Sequence, residues 1–214
     1  MQKTIAKIKS AFDGMSYMKQ YYMLYTLCFI LSSLFIFIWS LCGRYTLIWH
    51  ADGWSQHYKA LIYYAQYLRS IIIDIIRNHE LSIPNWDFAF GEGGDVLQIL
   101  HYYVVGEPFT LFSVFVPTRF MYMYYDAMII VRLYLAGMVF SGFCFYMGNR
   151  NRYAVMAGAL TYVFCYWAIY NASMHPYFLT PLIYLPLLLW GIEKIIRKES
   201  AKLMVGGGVP SRYQ

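Results

Sequence analysis

Apolar residues fall along this chain in four long runs, and polar residues gather between them. No charged side chain stands between Tyr21 and Gly43. At 1.5 Å per residue such a run makes about 34 Å of helix, enough to cross the hydrocarbon core of a bilayer. Residues 120–147, 153–171 and 177–195 repeat the pattern and predict three more spans. The last contains Pro181 and Pro186, which membrane helices tolerate because neighbouring groups satisfy the freed carbonyls. Gly137-xxx-Ser141 and Ala154-xxx-Gly158 are small-xxx-small pairs that let helix backbones approach closely. The pattern as a whole predicts an all-α, polytopic membrane bundle of four spans.

Between the first two runs, residues 44–119 have a different character. Over 56–78, Leu61, Ala65, Leu68, Ile72 and Ile75 recur at helical spacing, with Lys59, Gln66, Ser70, Asp74 and Arg77 opposite. Ser55 is placed to cap this amphipathic helix. It either lies flat on the outer leaflet, packs on the bundle or is an ordinary surface helix. Pro84, Gly91, Gly93 and Gly94 predict a loop from Ile83 to Asp95. Residues 96–116 are apolar and aromatic but interrupted by His101, Gly106, Glu107 and Pro108, so a partly embedded or re-entrant helix is expected. Residues 1–20, with Lys3, Lys7, Lys9 and Lys19 set against Ile5, Ile8 and Phe12, predict a basic amphipathic segment on an anionic leaflet. Residues 196–214 read as a polar tail, irregular from residue 205.

Composition supports a membrane protein. The chain has 214 residues, 60% hydrophobic and only 13% charged, with a mean hydropathy of +0.43, against about 25% charged residues in soluble domains. The net charge of +6 is carried by clusters at segment ends, which argues for topology signals rather than nucleic-acid binding. The N-terminus, Arg150 and Arg152, and Lys194, Arg197, Lys198 and Lys202 all fall on one side if four spans alternate. That side is then cytoplasmic, and the loop 44–119, with seven of the eleven acids, is extracytoplasmic. The cysteines (Cys28, Cys42, Cys144, Cys165) lie in apolar runs without a CxxC pair. They indicate neither a disulfide framework nor a zinc site and read as small apolar fillers.

The densest polar chemistry lies in Ile48-Trp49-His50-Ala51-Asp52-Gly53-Trp54-Ser55-Gln56-His57-Tyr58, just past the first apolar run. A carboxylate at Asp52 could serve as a general base or hold a divalent cation. It could equally cap the helix that follows, and spacing leaves the two readings level. His50 and His57 flank it as ligands, proton carriers or interfacial contacts. Asp87, Glu92 and Asp95 form a second acidic group that could join Asp52 in a metal site or an acid/base pair, though acids in a loop are usually just solvated. Arg132 stands near the middle of the second span. Burying it there costs at least ~2.5–3.5 kcal/mol, so it needs a partner: a lipid phosphate or an ion pair. Asp126 lies about 9 Å along the same helix on another face, which disfavours a direct pair. His175, at the outer start of the fourth span, is within reach of the same outer cleft. Tyr162, Tyr166 and Tyr170 form a packing stripe at spacing four. The Gly91–Gly94 segment lacks a GxGxxG register and a preceding strand, so it does not indicate a nucleotide site.

Several motifs, taken in order, carry a closer resemblance. They are Trp49-His50-Ala51-Asp52-Gly53-Trp54-Ser55-Gln56-His57-Tyr58, Pro84-Asn85-Trp86-Asp87-Phe88, Gly91-Glu92-Gly93-Gly94-Asp95, Tyr102-Tyr103 and Gly106-Glu107-Pro108-Phe109. Arg132-Leu133-Tyr134-Leu135-Ala136-Gly137, His175-Pro176-Tyr177-Phe178 and Pro181 to Leu189 continue the series. Over roughly residues 20 to 200 the chain resembles the bacterial YfhO family of polytopic membrane proteins, which itself looks like the GT-C glycosyltransferases. The resemblance implies transfer of a sugar from a polyprenyl-phosphate carrier to a cell-envelope polymer acceptor on the outer face. Asp52 matches the acidic position of the first outer loop and is the implied catalytic residue. Arg132 suits the carrier phosphate, with His57, His175, Asp87 and Asp95 as further substrate-binding candidates. Asp52 and Asp95 are the candidates for a divalent cation. Family members are much longer, so this chain is expected to be an N-terminal portion that is inactive alone. The alternatives are a non-catalytic glycolipid transporter or flippase-like module, in which Arg132 matters and Asp52 is dispensable, and an inactive remnant.

Overall fold

The computed structural model describes residues 16–198. The basic segment before Ser16 and the tail beyond Lys198 lie outside the described residues. Helix makes up 75% of the structure and strand almost none, so the fold is all-α. Among the described residues two helical stretches, Thr118–Tyr146 and Pro176–Ile196, are long and apolar enough to cross a membrane, and Arg152–Val163 with Tyr166–Met174 make a third if that pair is one span.

The chain divides into two compact units. The first holds helix α1 (Tyr17–Ile36) and the short α2 (Ile38–Gly43), so the run expected as a single span over 21–43 is broken at Phe37. It also holds the second half of α6 (Met121–Tyr146), α7 (Arg152–Val163) and most of α9 (Thr180–Ile196). Tyr21, Tyr25, Phe29 and Ser33 recur every fourth residue of α1 and are buried. They pack where the Gly137-xxx-Ser141 pair leaves room. Tyr21 donates to Ser141 Oγ at 2.7 Å and Tyr25 to the Tyr134 carbonyl at 3.2 Å. A Cβ at Gly137 would stand 2.0 Å from the Tyr25 hydroxyl, so the small residue is what admits the tyrosine. The remaining faces of α1 leave Leu27, Ile30, Leu31, Leu34 and Phe35 exposed.

Basic residues of this unit meet at one end. Tyr17 donates to the Arg150 carbonyl at 2.8 Å, and Arg152 donates to Gln20 at 3.4 Å. Lys194 lies over the rings of Tyr146 and Trp190, and Arg197 pairs with Glu193 at 2.7 Å while covering Tyr146.

The second unit contains the loop region, the first half of α6 and the segment from Cys165 to Leu182. The third apolar run is interrupted at Phe164 and Cys165 before α8 (Tyr166–Met174), and the tyrosine stripe divides there. Tyr162 stacks on Phe140, and Tyr166 stacks on Tyr170. Helix α3 (Lys59–Asn78) is preceded by a π-helical turn, Gly53–Tyr58, and Ser55 lies inside that turn rather than capping the helix. The apolar stripe of α3 is buried at Leu61 and Ala65, but Ile72 and Ile75 are exposed. The helix therefore packs along its first half only. Arg69 fastens it by donating to the carbonyls of Ser113, Val114 and Val116 at the end of the short 3-10 turn Phe112–Phe115.

The glycine-rich loop is partly ordered as an antiparallel pair, β1 (Trp86–Asp87) with β2 (Gly94–Asp95). Gly93 turns the chain at φ +109°, and a Cβ there would meet the Trp86 indole at 2.6 Å, so both backbone angle and space call for glycine. Residues 96–116 are three short pieces rather than one re-entrant helix: α4 (Val96–Leu100), α5 (Pro108–Leu111) and the Phe112–Phe115 turn.

Candidate functional site

The site lies wholly within the second unit and begins with the backbone that carries Asp52. Thr46 Oγ1 and the Leu47 amide donate to Asp126 Oδ1 at 2.8 and 3.0 Å, tying the incoming strand of chain to the start of α6. The Trp49 amide then donates to the Ser173 carbonyl at 3.1 Å, which fixes the stretch against α8. The π turn follows. A π turn spaces its bonds five residues apart and is common at functional sites. Here it brings His57, five residues on, to the same side as Asp52.

Gly53 makes this approach possible. A Cβ on it would stand 2.6 Å from the Ser173 carbonyl oxygen, a backbone atom that cannot swing aside. Gly53→Ala should therefore push the Asp52 segment off α8. The expected outcome is a destabilisation of about 1–3 kcal/mol, measured by thermal unfolding in detergent, together with loss of the Asp52–His175 contact.

The Asp52 side chain does not cap the helix that follows. Its Oδ1 accepts from Gln56 Nε2 at 3.0 Å, and Gln56 Oε1 in turn accepts from the Tyr103 hydroxyl at 3.1 Å. Its Oδ2 lies 3.9 Å from His175 Nε2, and the carboxylate is 37% exposed. Behind it, His175 Nδ1 and His57 Nε2 share a hydrogen bond of 2.6 Å. His57 is 2% exposed, walled by the rings of Tyr103 at 5.1 Å and Tyr177 at 5.5 Å. Burial, helped by neighbouring His175 and opposed by Asp52, pushes its pKa down to about 4. His57 is thus neutral in the folded protein at neutral pH.

This shift has a consequence for stability. In the unfolded chain His57 takes up a proton near its ordinary value of about 6.5, whereas in the folded chain it does so only near 4. Between these values the unfolded state binds more protons, so stability is retained above pH ~6.5 and falls as the pH drops toward 4. Melting temperature measured across this window should decline in the wild type, and His57→Gln should flatten the decline.

Arg132 is 1% exposed and finds a buried partner in Glu107, not in a residue of its own helix. Its Nη2 donates to Glu107 Oε2 at 2.6 Å and its Nε to Oε1 at 3.4 Å. Glu107 also accepts from Thr180 Oγ1 at 2.6 Å and from the Thr110 amide at 3.1 Å. With four donors the buried carboxylate is well satisfied, as a charge in this setting requires. Asp126, the acid nearer in sequence, is occupied by Thr46 and Leu47.

The remaining expected residues do not assemble around Asp52. Asp87 accepts from the Tyr63 hydroxyl at 2.5 Å and from the Ala89 amide at 2.9 Å, and these bonds hold its carboxyl below the usual range. Asp95 caps α4 by accepting from Gln98 at 2.7 Å. Glu92 is exposed, and His50 is exposed with its ring against Trp49. Neither Asp87 nor Asp95 bonds to Asp52. Among the described residues no group of three or more His, Cys, Asp or Glu gathers for a metal ion. The donor set around Asp52, one carboxylate with an amide and two mutually bonded imidazoles, does not fit a protein cage for a hard divalent cation, which prefers several oxygens. Sequence reasoning had missed Gln56, Tyr103 and Glu107 as members of the site. Gln56 carried a usable signal, four residues after Asp52 and hence on the same helical face.

Compared with known families, residues 74–205 match the model described as "Bacterial membrane protein YfhO". The match starts after the Trp49–Tyr58 stretch and includes Glu107, Arg132 and His175. No curated protein and no solved structure matches the chain.

Proposed function

The chain belongs to the YfhO family of bacterial membrane proteins, and from that premise we propose that it transfers a sugar from a polyprenyl-phosphate carrier to a cell-envelope acceptor, with Asp52 as general base. The observation that carries the reading is the state of the Asp52 carboxylate. It is partly open and does not cap its helix; one oxygen is held by Gln56 and the other faces His175. In this reaction the Asp52 carboxylate takes the proton of an acceptor hydroxyl. The acceptor oxygen attacks the anomeric carbon, and the bond from that carbon to the carrier phosphate breaks. The electron pair leaves with the polyprenyl phosphate, and the configuration at the anomeric carbon inverts. His175 at the second oxygen stabilises the carboxylate before transfer.

Arg132 takes a different part from the one suggested by the resemblance. Its charge is neutralised by Glu107 and the side chain is only 1% exposed, so a lipid phosphate has neither an open approach to it nor an unpaired charge to meet. In this reading it is a structural charge near the site, and the carrier phosphate meets other groups. We place the loop that bears Asp52 on the outer face of the membrane. The clustering of Tyr17, Arg150, Arg152, Lys194 and Arg197 at one end of the first unit supports a single cytoplasmic side for the basic residues.

The test is transfer of a radiolabelled sugar from a polyprenyl-phosphate donor, in vesicles carrying the chain together with the further spans that the resemblance implies, and supplied with cell-envelope acceptor. Labelled polymer above the level of empty vesicles is expected. Donor binding without labelled polymer would overturn the reading.

A further inference from the structure

Three buried polar atoms in the second unit lack a hydrogen-bond partner and line one cavity. They are His57 Nδ1, the Tyr125 hydroxyl and Arg132 Nη1. Their side chains are 2%, 1% and 1% exposed. The cavity measures about 10 Å³, and Leu61, Val104 and Met128 contribute apolar wall. An unpaired buried group of this kind is costly, and three around one space need a common explanation. The volume is that of about one water, and a buried water characteristically makes about three hydrogen bonds to such groups. A larger anion is disfavoured on size and on charge, because Glu107 already neutralises Arg132.

We infer that this cavity holds a single water which, gripped by Arg132 and Tyr125, donates to His57 Nδ1 and thereby sets the direction of every hydrogen bond from the interior out to Asp52. The two ends that cannot reverse set the sequence: the Arg132 guanidinium only donates, and the Asp52 carboxylate facing His175 Nε2 only accepts. Arg132 Nη1 can only donate, so it supplies one hydrogen to the water oxygen, and the Tyr125 hydroxyl supplies another. The water's own hydrogen then goes to His57 Nδ1. With Nδ1 an acceptor, neutral His57 carries its proton on Nε2 and donates across the 2.6 Å bond to His175 Nδ1. His175 is thereby left with its proton on Nε2, the atom that faces Asp52 Oδ2 at 3.9 Å. In the reverse orientation an imidazole lone pair would face the carboxylate. Tyr125 and Arg132 are thus positioning residues that act through a water and two histidines. The consequence for chemistry rests on the base role of Asp52, but the hydrogen-bond direction does not.

The full chain, labelled with ¹⁵N-histidine and held in nanodiscs, provides the test. Both His57 and His175 are expected to show an unprotonated Nδ1 and a protonated Nε2, with a nuclear Overhauser cross peak between a long-lived water and the His57 ring. In Tyr125→Phe the cross peak should weaken and the His57 Nδ1 signal should move downfield as it loses its donor. Thermal melting of the variant checks that the fold is kept. A proton on Nδ1 of either histidine, or a His57 signal unchanged in a folded Tyr125→Phe, would overturn the inference. Arg132→Lys gives a second measure, since it keeps a cation for Glu107 but removes Nη1; the same loss at His57 is expected, and an unmoved signal counts against the water. Asp52→Asn reports on sugar transfer and leaves the cross peak between the water and the His57 ring in place, so failure of one idea is separable from failure of the other.

Discussion

Asp52→Asn should lower sugar transfer by about 10²–10⁴-fold, the range that a positioned general base contributes, while leaving the amount and melting of the protein nearly unchanged. Asparagine keeps the shape and can still accept from Gln56, but it cannot take a proton. Because the side chain is partly exposed and caps no helix, its fold contribution is small, and the loss would belong to chemistry. The measurement is transfer from a polyprenyl-phosphate donor in vesicles, read beside a thermal melt. Full transfer in Asp52→Asn would sink the catalytic reading and favour a module that moves the glycolipid without reacting it. A drop in melting that parallels the drop in activity would instead make Asp52 a structural residue.

Much of the fold was legible because membrane helices announce themselves by length and apolarity. The second and fourth runs, expected over 120–147 and 177–195, match the helical stretches Thr118–Tyr146 and Pro176–Ile196 to within two residues at each end. Periodicity also placed the helix over 56–78, with its start displaced by the π turn. What hydropathy could not show was where a run breaks. Phe37 and Phe164 are as apolar as their neighbours, yet regular helix stops at each. The spacing on α3 predicts an amphipathic stripe, but a stripe does not say how far a partner extends, and Ile72 and Ile75 stay uncovered.

The site divides in the same way. Asp52 and His57 were singled out from local density of polar chemistry, and His175 from its place at a span end. Their association required a contact across more than a hundred residues, which one sequence does not encode visibly. Asp87 and Asp95 were attractive because acids close in sequence suggest a cluster. Local hydrogen bonds claim each of them first, as short Asp side chains in turns commonly do. Glu107 is the instructive omission. It was noted only as an interruption of an apolar segment, although Arg132 needed a buried anion and the chain offers few.

Glu107→Gln should destabilise the protein by about 3–5 kcal/mol, the scale on which breaking a buried ion pair leaves an uncompensated charge. The substitution preserves shape but leaves one acceptor oxygen in place of two, so it accepts from Thr180 or from the Thr110 amide and not from both. What it removes is the negative charge facing Arg132, whose guanidinium is 1% exposed and cannot turn to bulk solvent. Unfolding in mixed detergent micelles would measure the loss. The double variant Glu107→Gln with Arg132→Met separates charge from packing. Replacing both members of a buried pair is often neutral, so the double variant should recover most of the stability lost by the single one. Failure to recover would mean that Glu107 acts chiefly through Thr180 and the Thr110 amide, as a clamp between the α5 turn and the start of α9 rather than as a counter-charge. Recovery of stability combined with altered histidine signals would separate the two duties of Arg132: its Nε and Nη2 hold the fold through Glu107, and its Nη1 orients the interior end of the chain of hydrogen bonds that ends at Asp52.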